Sequence, residues 1–295
     1  MRASDVPLSG QYLAERLGIS RVALWKRVEV LKQWGYAIDS SRRGYRLLSD
    51  DGLSAEDIAV PGQLFLFDEL DSTMDEAHRQ AARGAPSGSL VLALRQQAGR
   101  ALDGSSWPSP SGGFYASLVV RCALPVAAAD GLVLTAAAAL LDVLTDRTPN
   151  SSLDPAAVRL GFRWPNQLWS GQRRIAGILL ESVGRLMAPD YYIIGIGIDI
   201  GGLAADGRRL PQRAVIGSSL ARSLAVPTAA HAWSAEGWCR LLEASACADF
   251  RLFDGRRIRC QTRGLDCYGR LLLTDGTVLS MAECLAVDWD DPPVL

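Results

Sequence analysis

Histidine is almost absent from this sequence. Of 295 residues only two are histidine, His78 and His231. A histidine-rich metal site is therefore nearly excluded, and a Ser-His-Asp catalytic arrangement would have to use one of these two. Six cysteines are present, but no two of them form a C-x-x-C pair. This spacing favours reduced, mostly buried thiols over a zinc site, and we expect no metal held by protein ligands alone.

Long hydrophobic runs and a secretory signal are missing as well. Residues 1–5 lead into no apolar segment. The most apolar run, residues 131–144, is about 14 residues long and is interrupted by Asp142, so it is too short to cross a bilayer. We expect this run to form a buried core helix. The sequence thus predicts a cytoplasmic protein without a membrane partner.

Lysine is the next scarce residue, and the charges separate a basic head from an acidic body. Both lysines, Lys26 and Lys32, lie in the first 50 residues, which carry nine basic and five acidic groups, a net charge of +4. The other 245 residues carry 22 basic and 27 acidic groups, a net charge of −5. A locally basic unit on an acidic body is typical of a small nucleic-acid-binding module.

The basic head, residues 1–50, has the pattern of a winged helix-turn-helix domain. Short helices are predicted over 9–17 and 21–34, separated by a glycine turn, and a hairpin with a basic tip is predicted over 37–47. The second helix has an apolar stripe at helical spacing, formed by Val22, Leu24, Trp25, Val28 and Leu31. Only eight residues precede Ser9, so the first helix of such a domain is expected to be short or missing. The alternative is a helical cap docked on the body. The expected DNA contacts are Ser20, Arg21, Lys26, Arg27, Arg42 and Arg43.

The rest of the chain alternates strand-like and helical stretches, which predicts an α+β fold. After a polar linker at 49–54, a mixed α/β domain is expected over 63–250. Its predicted strands are 63–68, 90–94, 114–120, 158–162 and 191–198, and its predicted helices are 72–83, 131–147 and 232–252. The tail, 251–295, has short strands and turns and predicts a small β-barrel or sandwich.

Several segments of the body have the composition of ligand contacts. The Q-Q-A-G-R run at 96–100 opens a glycine-rich loop that could fold over a ligand, although a plain surface loop has the same composition. The R-W-P-N run at 163–166 follows a strand, where site residues often lie. Alternating glycines at 194–198 leave one face of a strand as bare backbone, fit for a flat ligand. They lack the spacing of a dinucleotide fingerprint.

Taken together, these motifs resemble the biotin–protein ligases, in the bifunctional form that is also the biotin operon repressor. The resemblance rests on five segments in the family's order: D-S-T at 71–73, Q-Q-A-G-R at 96–100, R-W-P-N at 163–166, I-A-G-I-L at 175–179 and G-I-G at 195–197. It covers nearly the whole chain. It implies a winged-helix head, a central biotin–protein ligase catalytic domain and an SH3-like C-terminal β-barrel.

The resemblance also implies the chemistry. In the family, biotin and ATP condense to biotinyl-5′-adenylate, in the presence of Mg²⁺, and the biotinyl group is then transferred to a lysine of a biotin carboxyl carrier domain. The adenylate-loaded homodimer binds a duplex DNA operator. No protein nucleophile is needed, so the shortage of histidine does not argue against this chemistry. Catalysis would come from positioning of the two substrates and from cations that stabilise the developing negative charge.

The site residues follow from the matching positions. The catalytic cations implied are Arg163 and Arg100. The biotin contacts implied are Ser72, Thr73, Met74, Gln96, Arg100, Ala101, Leu102, Arg163, Gly177, Gly195 and Gly197. The ATP contacts implied are Trp107, Asn166 and Arg174.

The sequence departs from the family at several of these positions. The family loop reads G-R-G-R-R-G-R, whereas residues 99–105 read G-R-A-L-D-G-S, so cations are lost and Asp103 is added. Arg163 and Gln167 stand where the family has lysine and aspartate, and Met74 and Asp199 where asparagine is common. The departures leave open a catalytically degenerate protein that acts only as a ligand-responsive regulator. A lipoate ligase is disfavoured, because its R-R-x-x-G-G-G segment is missing.

Overall fold

The computed structural model describes residues 6–33, 36–49, 53, 55–145, 160–201, 212–225 and 247–290. Within them the chain forms a helical head with a hairpin, a central seven-stranded sheet with helices on both faces, and a C-terminal five-stranded sheet. The α+β class predicted from the sequence is confirmed.

The head contains the predicted helix-turn-helix. Helix α1 (Gly10–Leu17) begins where the Ser9 side chain accepts backbone N–H bonds, and it ends at Gly18, which has the left-handed φ of 63° that glycine tolerates. Helix α2 (Arg21–Gln33) follows, and strands β1 (Ala37–Ser41) and β2 (Gly44–Ser49) form the hairpin. Ahead of α1, Leu8 bridges Tyr45 of β2.

The apolar stripe predicted for α2 is partly wrong. Leu24 and Val28 are buried in the head's core with Ala14. Val22 and Trp25, expected to join them, are 64% and 54% exposed. The two short helices and one hairpin cover only one side of α2, so the remaining apolar residues of the stripe stay at the surface.

The central sheet has the strand order β3-β4-β5-β9-β8-β7-β6, and all neighbours are antiparallel except β3 and β4. Its strands are β3 (Leu64–Phe67), β4 (Ser89–Ala93), β5 (Phe114–Val120), β6 (Leu160–Arg163), β7 (Gln167–Ser170), β8 (Arg173–Arg185) and β9 (Ala188–Ile198). β4 and β5 are buried throughout, as expected of central strands covered on both faces.

Helices cover the two faces of the sheet. Helix α3 (Thr73–Ala82) packs on one face against β4, β5 and β9. Helices α4 (Asp130–Thr145) and α5 (Arg213–Leu224) pack together on the other. The apolar run expected to form a core helix does so in α4. The prediction that the run is too short to cross a bilayer is wrong, because the helical stretch Val126–Thr145 is long and apolar enough by length and composition. Within its most apolar 18-residue window 61% is buried inside the protein, as in a core helix.

The C-terminal sheet corrects one sequence prediction. Its strands are β10 (Cys247–Leu252), β11 (Arg257–Leu265), β12 (Leu271–Leu273), β13 (Val278–Leu279) and β14 (Cys284–Trp289), in the order β13-β12-β11-β10-β14. The helix predicted over 232–252 is wrong at its end, because residues 247–252 form β10 and every second side chain is buried; residues 232–246 lie outside the described residues. The sheet is open between β13 and β14 among the described strands, so the SH3-like barrel stays a prediction.

The C-terminal sheet docks on the start of α4 and on the R-W-P-N segment. The backbone N–H of Met281 donates to the Asp130 carboxylate at 2.8 Å. The rings of Trp164 and Phe250 meet edge to face at 6.3 Å, and those of Phe250 and Trp289 at 6.1 Å. These contacts bring β14 to the rim of a cavity in the central domain.

Candidate active site

A cavity of about 640 Å³ lies where β8 and β9 meet the N-terminus of α3, the loop after β4 and strand β14. We call it the first cavity. It is lined by all the residues implied for biotin, ATP and catalysis: Ser72, Thr73, Met74, Gln96, Arg100, Ala101, Leu102, Trp107, Arg163, Asn166, Arg174, Gly177, Gly195 and Gly197. The structure thus brings these fourteen positions together from five separate segments. Their individual roles stay predictions.

A chain of hydrogen bonds fixes the wall at the start of α3. Gln96 Oε1 accepts from the backbone N–H of Thr73 at 2.8 Å and from its hydroxyl at 3.0 Å. The Gln96 amide donates to Ser109 Oγ at 3.0 Å, and Ser117 Oγ donates to Thr73 Oγ1 at 2.9 Å. Ser72 caps α3 by accepting from the N–H of Met74. Buried polar groups paired in this way hold a rigid, polar wall.

The floor of the cavity is bare backbone. Gly177 of β8 pairs with Gly197 of β9, and Gly195 lies two residues along the same face. A Cβ at Gly197 would lie 2.5 Å from the indole Nε1 of Trp107, and one at Gly195 would lie 2.6 Å from the sulfur of Met74. The three glycines therefore form a trough that accepts flat groups, and in this structure the Trp107 indole lies on it.

The loop over the trough is folded in this structure. The backbones of Arg100 and Ser106 pair in an isolated antiparallel β-bridge, and the backbone N–H of Trp107 donates to Gly99 O at 2.8 Å. The Asp103 carboxylate accepts from the N–H and hydroxyl of Ser105, and these two bonds lower the pKa of Asp103. The guanidinium of Arg174 lies 4.9 Å from the centre of the Trp107 ring. Hydrogen bonds within the loop and the contact of Arg174 with Trp107 thus keep the loop folded over the trough.

Arg100 is turned toward carboxylates. Its guanidinium donates to both oxygens of Asp75, at 3.2 and 2.9 Å, and lies 3.7 Å from Glu181. The hydrogen bond to Asp75 raises the pKa of Arg100 above its usual value. Glu181 also binds His78 Nε2 at 2.7 Å, and this bond is the main cause that holds the pKa of Glu181 below its usual value. Arg100 is therefore neutralised where it lies.

Arg163 has the opposite environment. It is 8% exposed, its guanidinium carbon lies 3.7 Å from the centre of the Trp169 ring, and its one hydrogen bond among the described residues is to Gly171 O at 3.4 Å. Its Nε is buried with no partner among those residues. Burial lowers the pKa of Arg163, but an arginine stays charged at neutral pH. The result is a buried cation at the cavity wall that has no counter-ion among the residues described by the structure.

Two neighbours of Arg163 also have a buried polar atom without a hydrogen-bond partner among the described residues. The Trp164 indole N–H and the Asn166 side-chain oxygen are buried and unpaired among the described residues. Asn166 uses its amide N–H to donate to Ile178 O at 2.9 Å, which fixes the direction of its side chain. A short segment at a strand end thus carries two buried donors and one buried acceptor that are unpaired among the described residues. Unpaired buried polar atoms are costly and are retained mainly where a ligand or water completes them.

Sequence reasoning missed several residues of the cavity. Trp169, which supports Arg163, lies on β7, and residues 285–289 of β14 reach the rim from the C-terminal sheet. Asp75 was missed as the partner of Arg100. A signal for Asp75 existed, because it follows the N-cap of a predicted helix whose first turn faces the ligand loop. No local signal identifies β14, since its position depends on docking between domains.

The expected DNA contacts lie apart from this cavity, on the head. Ser20, Arg21, Lys26, Arg27, Arg42 and Arg43 are all exposed. The first four lie at and along the start of α2, and the other two form the tip of the hairpin. Ser20 also caps α2 by accepting from the Ala23 N–H at 3.1 Å. Their contact with DNA stays a prediction.

The arrangement suits activation of a carboxylic acid by a nucleotide. A buried cation, an aromatic ring, a glycine trough and a rigid polar wall can hold two anionic groups together without a protein nucleophile. Among the residues that the structure describes, no group of three or more His, Cys, Asp or Glu side chains could hold a metal ion. The described cysteines are free thiols, but the prediction that they are mostly buried is wrong, because only Cys284 is buried, while Cys267 is exposed and the other three are partly exposed.

Comparison with known proteins agrees with the order of these parts. Residues 1–46 match the model of a helix-turn-helix domain, and residues 66–199 match the biotin/lipoate A/B protein ligase family. The bifunctional ligase/repressor BirA of Bacillus subtilis is 35% identical over 209 residues, which cover 68% of this chain and 62% of that protein. BirA of Escherichia coli is 33% identical over 198 residues, covering 65% and 59%.

Solved structures agree on the fold. A biotin protein ligase from Aquifex aeolicus, in complex with biotin and ATP, superposes with a TM-score of 0.54 over 77% of this chain and 99% of that chain, at 19% identity. The matched region spans about three fifths of the length of the BirA relatives. Through residues 66–199, preceded by a helix-turn-helix domain, the chain belongs to the biotin/lipoate A/B protein ligase family.

Proposed function

We propose that this protein is a biotin–protein ligase that activates biotin with ATP to biotinyl-5′-adenylate and transfers the biotinyl group to a lysine of a biotin carboxyl carrier domain. The observation that carries the proposal is the first cavity itself, which has a floor of three glycines and the buried guanidinium of Arg163 in its wall. The planar ureido ring of biotin would lie on the trough, with the carboxylate of its valeryl chain toward Arg163.

The reaction needs few protein groups. The biotin carboxylate attacks the α-phosphorus of ATP, a C–O–P bond forms, and pyrophosphate leaves with the electrons of the broken P–O bond. Arg163 neutralises the two anions that approach each other, and its burial strengthens this effect. Trp107, Arg174 and Asn166 lie where the nucleotide would stack and be oriented. The Trp169 ring packs against the guanidinium of Arg163 and supports it in this position.

Magnesium would enter with ATP. Two carboxylates line the first cavity, Asp103 and Asp288, and Gln167 stands beside them where an acid is usual in the family. Mg²⁺ is commonly held by one or two carboxylates together with substrate phosphates, so this donor set suits a nucleotide-borne ion. The ion would neutralise phosphate charge.

We also propose that the head binds a duplex DNA operator as part of a ligand-dependent repressor, and that the protein acts as a homodimer in the cytoplasm. The exposed cations at the start of α2 and at the hairpin tip support DNA contact. Beyond Ile178, the outer edge of β8 has no strand partner in the described part of the chain, and a second copy could extend the sheet there.

One observation favours a second candidate, a regulator without turnover. Arg100 is the one cation in residues 99–107, and it is paired with Asp75, whereas Asp103 brings a negative charge to the same loop. A loop so poor in cations stabilises transferred phosphate weakly.

Biotin-dependent ATP–pyrophosphate exchange separates the two candidates. We expect exchange by the wild-type protein and saturable heat in a calorimetric titration with biotin. Saturable biotin binding without exchange would identify the regulator. No saturation up to about 1 mM biotin, the weak edge of specific binding, would refute both.

Binding of duplex DNA tests the head. Affinity should fall steeply with salt, because each neutralised phosphate releases counter-ions. Replacing Arg21 and Lys26 together with alanine should reduce the slope of log affinity against log salt by about 2, at about 0.9 for each lost phosphate contact. An unchanged slope would mean that α2 does not face the phosphates.

A further inference from the structure

A second cavity, of about 230 Å³, lies on the opposite face of the sheet from the trough. It is enclosed by the start of α4, by β8 and β9, and by the C-terminal sheet. Three residues, Leu102, Pro165 and Asn166, line both cavities, so the two spaces adjoin at these residues. With about 30 Å³ for each water-sized group, the space holds about seven heavy atoms, enough for the five-atom side chain of a lysine.

The walls of the second cavity are apolar over most of their area. Val126, Val133, Leu180 and Phe253 line its sides, and no cationic side chain among the described residues reaches it. The trough has an arginine at its wall, and this cavity does not. Such a space favours an aliphatic stem and repels an anion, because it offers a negative group no compensating charge.

Asp130 carries the buried charge among the described residues that line this cavity. It is 3% exposed, and its carboxylate accepts a hydrogen bond from Met281 N–H. The other polar side chains of the lining are neutral: Asn166 donates its N–H to Ile178 O, Tyr192 donates its hydroxyl to Leu124 O, and Ser182 is exposed. In an apolar wall, a positive donor matches a buried carboxylate best.

The surroundings of Asp130 fit a missing cation. Burial raises the pKa of Asp130 to about 7, Asp266 and Glu283 raise it further, and the Met281 N–H and Arg270 lower it. The carboxylate is therefore undercompensated in the protein alone. An ammonium group beside it would offset the cost of burying the negative charge.

We propose that the second cavity holds the aliphatic stem and amino group of the acceptor lysine, with the Asp130 carboxylate accepting its N–H bonds. The inference rests on the proposed function. After the ammonium loses a proton to solvent, the amine nitrogen attacks the biotinyl carbonyl carbon of the adenylate. A C–N bond forms, the C–O bond to phosphate breaks, AMP leaves with the electron pair, and the second proton passes to water.

The test separates adenylation from transfer. The probes are n-butylamine, which reproduces the lysine side chain, and hydroxylamine, which has no stem. Asp130→Asn removes the charge and keeps an oxygen for Met281 N–H. Asp142→Asn makes the same change on an exposed residue of the same helix. Pyrophosphate exchange, biotinyl butylamide and biotinyl hydroxamate are measured for each protein.

We expect Asp130→Asn to form the butylamide about tenfold more slowly, the scale of one charge-assisted hydrogen bond, with exchange and hydroxamate formation within about twofold of wild type. Asp142→Asn should match wild type. Val126→Phe, which fills the rim, should also slow butylamide formation alone. Equal losses with both amines, or an undiminished butylamide rate in Asp130→Asn, would overturn the inference.

A binding measurement makes the outcome independent of turnover. Saturation-transfer NMR should detect n-butylammonium on the wild-type protein and on Asp142→Asn, and a much weaker signal on Asp130→Asn. Absence of exchange in the wild type would defeat the proposed function alone. Equal butylammonium signals from all three proteins would defeat this inference alone.

Discussion

The two cavities of the central domain share one sheet and treat charge in opposite ways. On β8, Gly177 and Leu179 face the first cavity, and the alternating residues Ile178, Leu180 and Ser182 face the second. The first holds a buried arginine stacked on an indole, whereas the second holds a buried carboxylate among apolar side chains. Because successive side chains of β8 point to opposite faces of the sheet, one strand borders a site for anions on one face and a site for a cation on the other.

The two sites differ from the rest of the cavity lining in having a buried charge that is not compensated, and not merely in being polar. The Thr73–Gln96–Ser109 chain is fully hydrogen-bonded and serves as a wall. Arg163 and Asp130 are each buried with fewer partners than their charge requires. Removing either charge should therefore have a larger effect than removing any exposed ion pair.

The largest effect is expected for stability at Asp130. Its pKa is raised by burial from 3.8 to about 7, so the native state keeps the proton longer than the unfolded state. The free energy of unfolding must then decrease as pH rises from about 4 to about 7, by a few kcal/mol at about 1.4 kcal/mol for each pKa unit. Asp130→Asn should unfold at a higher temperature than wild type at pH 8 and at the same temperature near pH 4.

Thermal melts at several pH values measure this difference. Asp142→Asn, exposed on the same helix, should melt like wild type at every pH. A constant difference between Asp130→Asn and wild type across the pH range would show that the carboxylate is compensated in the folded protein.

The next largest effect is expected on adenylation. Arg163→Ala should slow pyrophosphate exchange by about a hundredfold, near 3 kcal/mol, as for loss of one preorganised donor at a developing charge. Arg163→Lys, which keeps the cation, should retain activity. Arg173→Ala, which removes an exposed ion pair with Asp199, is the control. Exchange that survives Arg163→Ala would assign the cation to another residue.

A smaller loss is expected when the trough is filled. Gly197→Ala adds a methyl group where Trp107 lies 2.5 Å away. A ring bound on the trough in place of the indole would meet the same methyl group, and overpacking in that complex costs about 1–3 kcal/mol, so the dissociation constant for biotin should rise about tenfold or more in a calorimetric titration. Gly217→Ala on α5, whose nearest neighbour would be 3.4 Å away, should leave it unchanged. Equal affinities in both variants would place biotin elsewhere.

The smallest effect is expected at the exposed pair on the first cavity's rim. Asp75→Asn releases Arg100, and because both side chains are about 40% exposed the pair contributes less than about 1 kcal/mol. The KM for ATP should fall by no more than about fivefold. Asp249→Asn, which breaks an exposed pair on the C-terminal sheet, should not change it. A KM that rises in Asp75→Asn would show that Asp75 helps to bind ATP.

The sequence predicted the ordered motifs well, but it did not predict the residues from other parts of the chain that contact those motifs. Thr73, Gln96 and Gly197 are local landmarks, each at a helix start, a strand end or a bare strand face. Trp169 and β14 reach the site only through strand pairing and domain docking, which leave no local pattern. The false helix over 247–252 has a similar cause, because the preceding alanine-rich composition favours a helix while the alternating burial of β10 is decided by tertiary packing.

The Trp107 indole competes with ligands for the glycine trough. A ligand that uses the bare backbone of Gly177 and Gly197 must first evict Trp107, so its measured affinity is the intrinsic affinity reduced by the fraction of molecules in which the trough is vacant. That fraction is set by contacts remote from the ligand, such as Arg174 on the ring and Asp103 on Ser105. Sequence changes in the loop can therefore tune the response threshold to ligand concentration while every ligand contact stays the same.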